Sequence, residues 1–411
     1  MFSIDQLLST PPLSAFFSIL LIAGCDLIGT LFLDRLGLVS GGHKDWIRWQ
    51  APVVGAMLFA IILYPLALAD LTSRLFMQVA AILFITAGTL QIYLTVKWIY
   101  LRGKSLKDCW MAMLTQTFSK KLLIFMLLGM GLVAIGPVTN ADALDNHLGV
   151  AIEILNNGGI FVAPEWFHGR QTGNGEVLNA MAISVGAEQF GSLLQYVSLL
   201  GIVGIILFAR NIDDKLDAYS KNSVADLIGL AAFSAPVLLF LISSPKPQMW
   251  PIAVTTFAFV LVIHPLRRNL SRKNALIGFA LVCLLVMTAS QAKINYILGG
   301  GVVGMLAIFL MAKQHYFWSS VGITLIALAL IIAPPILWKA AVFNSSIIDA
   351  FINPLPGHLP GTDASIAKQQ FNPDTGSIFP FPVSFLIPSN IGSFSVMLGL
   401  GWMVLIGLRP G

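Results

Sequence analysis

Charge is scarce in this chain: only 10% of its 411 residues are Asp, Glu, Lys or Arg, against about a quarter in ordinary soluble domains. Cysteine is scarcer still. Cys25, Cys109 and Cys283 lie far apart, two of them inside apolar runs, which excludes a disulfide framework or a cysteine metal site. No basic residue precedes Arg35, so the N-terminus lacks the basic region of a cleaved signal peptide. The apolar runs lack the alternation that membrane barrel strands require. No internal repeat suggests an inverted-repeat transporter. The net charge of +5 comes from basic residues in short loops, which is the positive-inside pattern and not a nucleic-acid surface.

What the chain does contain is apolar length. Hydrophobic residues make up 57% of it, mean hydropathy is +0.84, and several runs reach the roughly 17–25 residues that cross a bilayer as a helix. The fold class is therefore an all-α polytopic membrane protein. Eleven apolar spans are expected, at about 13–33, 51–69, 75–99, 122–137, 190–209, 226–243, 249–265, 275–290, 296–312, 317–337 and 389–408. Arg102, Lys104, Lys107, Lys120 and Lys121 mark one side, and Arg210, Lys215, Lys221, Arg267, Arg268, Arg272 and Lys273 join them. Placing these in the cytoplasm puts the N-terminus outside and the C-terminus inside. Both long polar loops, 138–189 and 338–388, then face outward with the turns Ser243–Gln248 and Ser290–Asn295. Lys104–Lys121 reads as a short cytoplasmic surface helix.

The first long loop holds most of the chemistry-bearing residues: Asp142, Asp145, His147, Glu153, Glu165, His168, Arg170 and Glu176. Thr139 or Asn140 caps a helix start. Asp142, Asp145, Asn146, Gly149 and Glu153 would share one face, with Leu144, Leu148, Ile152 and Leu155 opposite, until Asn156-Asn157-Gly158-Gly159 ends the helix. A carboxylate just outside a membrane span suits removal of an acceptor proton in sugar transfer; Asp142 and Asp145 equally suit a helix N-terminus. His147 is a proton shuttle or a packed, hydrogen-bonded side chain. Glu165, Trp166, His168 and Arg170 suit contact with sugar and phosphate, or an interfacial aromatic anchor. Glu176 reads as a surface or capping acid.

Two cations stand against the positive-inside bias. Lys246 sits in the turn Ser243-Ser244-Pro245-Lys246-Pro247-Gln248, and Lys293 opens the span expected at 296–312. Each fits the phosphate of a lipid-linked donor, or a lysine snorkelling to headgroups. The second long loop is rich in Pro and Gly and contributes His358, with Asp363, Lys368 and Asp374, as acceptor contacts.

The run Asp142-Ala143-Leu144-Asp145-Asn146-His147-Leu148 resembles the Asp-x-x-x-Tyr-His-Leu start of the GT-C superfamily of polyprenyl-phosphate-dependent glycosyltransferases, with Asn146 in the Tyr position. Gly159-Ile160, Pro164-Glu165-Trp166, Gly175-Glu176-Val177-Leu178, Lys293-Ile294-Asn295-Tyr296 and Asn353-Pro354 continue the likeness over roughly residues 122–390. The resemblance implies a GT-C-like module at 122–337 with two horizontal helices in loop 138–189. Ahead of it stands a three-helix extension, 1–121; behind it lie the second loop, 338–388, and a last helix, 389–411. It implies Asp142 as general base and Lys293 as a donor-phosphate partner. The expected location is a bacterial inner membrane. The expected partners are a polyprenyl-phosphate sugar, a glycan, lipid or protein acceptor, and membrane lipids. No metal-ligand motif is visible, and the cofactor requirement, a divalent metal included, stays open. The alternatives are an O-antigen polymerase or ligase, disfavoured because Arg170 is the only arginine in either long loop, and a lipid-linked glycan flippase or other transporter. For the last, Asp26 is the clearest acid within a span and has no evident partner in the sequence.

A cysteine placed at Asn157 in an otherwise cysteine-free chain is expected to react with a membrane-impermeant maleimide added to intact cells. Labelling only after the membrane is opened would reverse the topology.

Overall fold

The computed structural model describes residues 12–37, 47–101, 108, 111, 114–116, 118–161, 172–208, 232–263, 266, 271–293 and 296–352. All regular structure among the described residues is helical. The chain runs through α1 (Leu13–Arg35), α2 (Ala51–Leu68), α3 (Arg74–Leu101) and α4 (Phe118–Ile135). A π-helical turn (Ala143–Leu148) leads into α5 (Gly149–Asn157), followed by α6 (Asn174–Ile183), α7 (Phe190–Phe208), α8 (Pro236–Ile242) and α9 (Met249–Ile263). Then come α10 (Arg272–Ala292), α11 (Tyr296–Lys313) and α12 (Phe317–Ala327), which continues through a second π-turn into α13 (Ala333–Val342), and last α14 (Ile347–Ile352).

Among the described residues, six helical segments are long and apolar enough to cross a membrane: α1, α2, α3, α10, α11 and the continuous Phe317–Val342. Phe190–Ile206 and Met249–Ile263 are shorter apolar helices. The described residues thus give a multi-pass membrane protein. The expected span at 389–408 lies outside them, as do residues 226–231 of the span expected at 226–243 and the second long loop from residue 353.

Lipid tails are as apolar as leucine, so helices in a bilayer associate through close packing and polar links more than through expulsion of water. The α1–α2–α3 group follows this rule. A Cβ built on Gly55 would lie 1.9 Å from the carbonyl oxygen of Cys25, and one on Gly88 1.9 Å from that of Leu20. Only glycine lets these backbones meet. Inside the group, Arg48 grips Asp26 with both guanidinium arms, one at 2.6 Å, and Gln91 donates to the same carboxylate. This corrects the sequence reading of Asp26 as unpartnered: its cation lies 22 residues away, across the connection to the next helix.

The three N-terminal helices are built into the rest of the molecule. α2 packs on α6, α7, α10 and α13. The fully buried Trp250 donates its indole N–H to the Val53 carbonyl at 3.2 Å, and Gln50 donates to the Gly201 carbonyl at 2.8 Å.

The turns expected to share one membrane face gather at one end of the bundle. Gly158 ends α5 in the left-handed conformation, φ +74°. Its carbonyl accepts the Thr72 N–H at 2.9 Å, and Ile160 N–H donates to Ala67 at 2.9 Å. Asn179 donates to the Pro245 carbonyl at 3.1 Å, Tyr296 donates to that of Gln248 at 3.1 Å, and Gly173 stands against the backbone of Ala292.

Gly55→Leu and Gly88→Leu are each expected to force α1 away from its neighbours, a cost of about 1–3 kcal/mol or more. In detergent this reads as a lower melting temperature; unchanged melting would refute the close approach.

Candidate functional site

The site is built where α4 ends and the chain turns along the bundle. The Asn140 side chain accepts the N–H of Asp142 at 2.9 Å, so the expected cap forms. The next turn departs from the expectation. Gly149 N–H reaches back five residues to the Leu144 carbonyl, the signature of a π-turn. The extra residue rotates the register. Leu144, expected inward, is 46% exposed, while Asn146 and His147 are buried. Leu148 and Leu155 stay inside as expected.

The rotation brings two charged links together. Lys246 Nζ donates to Asp142 Oδ2 at 3.1 Å, and Asn146 Nδ2 donates to the other carboxylate oxygen. Burial would raise the Asp142 carboxyl, but the hydrogen bond from Asn146 and the charge of Lys246 outweigh it, and the group sits below the usual carboxylate range. Beneath this pair, His147 Nδ1 and Glu176 Oε1 lie 2.8 Å apart, both side chains under a tenth exposed. Glu176 Oε2 also accepts the Gly173 N–H at 2.9 Å. Burial pushes Glu176 upward, yet the bond and charge of His147 and the backbone donor hold it below its ordinary value. An ionised Glu176 only accepts, so the proton between them belongs to His147 Nδ1.

Lys293 completes the group. α10 stops at Ala292, Lys293 adopts extended backbone (φ −155°, ψ 133°), and α11 starts three residues later. Burial first, then the neighbouring Lys246, pulls its ammonium below the usual lysine range; Glu176 and Asp142 act the other way. Among the described residues its Nζ makes no ion pair. Asn174, at the start of α6, donates to the Thr288 carbonyl at 3.1 Å and to Gln291 at 3.0 Å. That lashes α6 to the end of α10 that carries Lys293. Two buried acceptor oxygens in this region, Asn146 Oδ1 and Asn174 Oδ1, have no hydrogen-bond partner among the described residues.

Asp142, His147, Lys246 and Lys293 are therefore brought together. Asp145 is exposed on the π-turn and makes no ion pair among the described residues. Glu165, Trp166, His168, Arg170 and His358 lie outside the described residues. Four participants escaped the sequence reading as site residues. Glu176 does cap, but it is 4% exposed and no surface acid. Asn174 carried no signal beyond a side-chain amide between two glycines, and Asn146 stood out only as the residue in the Tyr position of the run. Tyr64, from the N-terminal extension, reaches the same region, donating its hydroxyl to the Thr172 carbonyl at 3.0 Å. No group of three or more His, Cys, Asp or Glu side chains gathers among the described residues.

Glu176 and Asp142 both ionise more readily folded than unfolded. Their contribution to stability is thus complete above the unfolded carboxylate range, about pH 4–5, and is lost as the pH falls through the depressed folded values. Glu176→Gln is expected to cost about 1–3 kcal/mol at neutral pH and to flatten the acid side of the stability profile, read by thermal melts in detergent between pH 3 and 7. An unaltered acid limb would remove Glu176 from that role.

No curated protein and no solved structure matches this chain. The model of one family, described as the DUF1420 N-terminal domain, matches residues 1–109 and 99–411. Those two matches run from end to end, and the chain belongs to the DUF1420 N-terminal domain family.

Proposed function

We propose that this protein is a membrane glycosyltransferase that moves a sugar from a polyprenyl-phosphate donor to a glycan, lipid or protein acceptor on the outer face of a bacterial inner membrane. The observation that carries the reading is the joining of Asp142 to Lys246 beside Lys293, three charged groups from three distant segments at one end of an apolar bundle. A chain this poor in charge concentrates it where work is done on a charged substrate.

In the proposed reaction, an acceptor hydroxyl oxygen attacks the anomeric carbon of the donor. The bond from that carbon to the phosphate oxygen breaks, and polyprenyl phosphate leaves with the electron pair. Asp142 takes the hydroxyl proton, held in place by the Asn146 amide. Lys246 and Lys293 offset the charge that develops on the leaving phosphate. The unpaired oxygens of Asn146 and Asn174 are the groups that the hydroxyls of a sugar would satisfy, since buried acceptors are costly to leave alone. The GT-C resemblance of the Asp142–Leu148 run points the same way.

The transporter reading has one observation in its favour, the Asp26–Arg48 pair within the helices. That pair is closed by Gln91 and sits where glycine contacts hold three helices together. It therefore reads as a lock on the N-terminal group, and transfer chemistry is the better account.

Asp142→Asn keeps the shape and the amide contact but removes the base. Transfer of radiolabelled sugar from a lipid-linked donor is expected to fall by about 10²–10⁴-fold while the variant still folds, as shown by a cooperative thermal melt. Full activity in this variant would exclude Asp142 from the mechanism.

A further inference from the structure

Resting on that reading, the resting site poses a question about Lys246. A lysine cannot hold a donor phosphate and a carboxylate equally well at once, and here it is already bound to the carboxylate. The pair is partly open, with side-chain exposures of 20% for Lys246 and 40% for Asp142, so a ligand can reach both groups. Lys293 is half-buried, has no ion-pair partner among the described residues, and lies within electrostatic range of Lys246. Two ammonium groups within electrostatic range of one another, one of them in no ion pair among the described residues, make a place for an anion.

The backbone around them is firm. The turn carrying Lys246 is held by Asn179 at the Pro245 carbonyl and by Tyr296 at the Gln248 carbonyl, and its own Ser244 hydroxyl accepts the Lys246 N–H at 3.2 Å. Pro247 stands so close to Gly175 that an added Cβ there would fall 2.5 Å from it. The mobile part of the pair is thus the four-carbon lysine stem. Asp142, by contrast, has a second tether that does not depend on Lys246, the amide of Asn146.

We infer that Lys246 is an exchangeable clasp: the phosphodiester of a lipid-linked sugar donor entering beside Lys293 takes Lys246 away from Asp142, so that donor binding itself uncovers the base. Before the exchange, Asp142 is neutralised and a poor proton acceptor. After it, Asp142 keeps only the Asn146 contact, and loss of the adjacent cation raises its basicity. No covalent bond changes in this step. It couples occupancy of the donor site to readiness for proton transfer, which keeps the base covered until a donor is in place.

The exchange makes an unusual demand: removing the acid must improve anion binding. Farnesyl phosphate and inorganic phosphate would each be titrated into the full-length protein in a neutral detergent, by calorimetry, for the wild type, Asp142→Asn, Lys246→Met and the double variant, with Asp145→Asn as a charge control. Asp142→Asn is expected to bind roughly three- to tenfold tighter, because the competing pair no longer has to be broken. Asp145→Asn should change binding less than twofold. In the Lys246→Met background the gain from Asp142→Asn should largely vanish, since there is no clasp left to release. An equal gain in both backgrounds would mean simple relief of repulsion and would overturn the exchange, as would weaker binding by Asp142→Asn. Lys293→Ala, which leaves the pair intact, is expected to lose at least tenfold, and unchanged affinity would sink the two-lysine site. Tighter binding of farnesyl phosphate than of inorganic phosphate assigns the site to a lipid-borne group; equal binding assigns it to free phosphate. Should these shifts appear without any sugar transfer by the wild type, the clasp stands and the glycosyltransferase reading falls.

Discussion

Polar links fix the arrangement of this molecule because apolar packing cannot. In a bilayer, rotating a helix of Leu, Val and Phe about its axis exchanges one apolar contact for another, so the hydrophobic pattern defines registry weakly. The Lys246–Asp142 bond joins positions 104 residues apart, and His147–Glu176 spans 29 within the central loop. With Asn174 on Thr288 and Gln291, and Asn179 on Pro245, they peg the loop segments onto the ends of α8, α9 and α10. A buried ion pair adds little net stability, but breaking one leaves a charge in a poor solvent for it. The pegs therefore act by penalising other arrangements.

The same logic explains why the N-terminal helices belong to the site even though none of the candidate residues read from the sequence lies in them. Tyr64 in α2 holds the Thr172 carbonyl, and Thr172 lies one residue before Gly173, whose N–H anchors Glu176. The α2–α3 turn holds the far end of α5 through Thr72. The glycine contacts of α1, α2 and α3, with the Asp26–Arg48–Gln91 cluster, keep that platform in one geometry. Rigidity made in the first hundred residues is thus passed to side chains in the second and third.

How much of this could be read from the chain alone follows from the range of each signal. The membrane character, the helical class and the grouping of loops on one side rest on composition and on lysine and arginine placement, which act over whole segments. The structure agrees with these at the level of six spanning helices and one shared end. Asp142, Lys246 and Lys293 stood out because charge is rare here and two of them lie where positive charge is unexpected. Glu176 did not, because an acid three residues after a glycine looks like any cap, and nothing local reveals that His147 will meet it. Leu144 and Asn146 were assigned to the wrong faces because a regular 3.6-residue period was assumed; a π-turn is invisible to that period. Arg48 as the partner of Asp26 was missed because the pairing crosses a helix connection, where spacing rules for a single helix do not apply.

Counting charge around the site leads to the last step. Asp142 and Glu176 are held below the usual carboxylate range, Lys246 is bound to Asp142, and Lys293 lies within electrostatic range of both acids, so acids are matched by cations in the resting group. In a medium of low polarity such a balance is the cheapest resting state. It also means that an entering donor phosphate is admitted at the expense of an existing attraction. Asp142 must give up its hold on Lys246, and the added negative charge that results makes it a better acceptor for a proton. One proton taken from an incoming hydroxyl lowers that charge. A lysine with no acid to release would bind phosphate and gain no basicity in doing so; one already bound to a carboxylate ties proton uptake to the presence of the anion through charge alone.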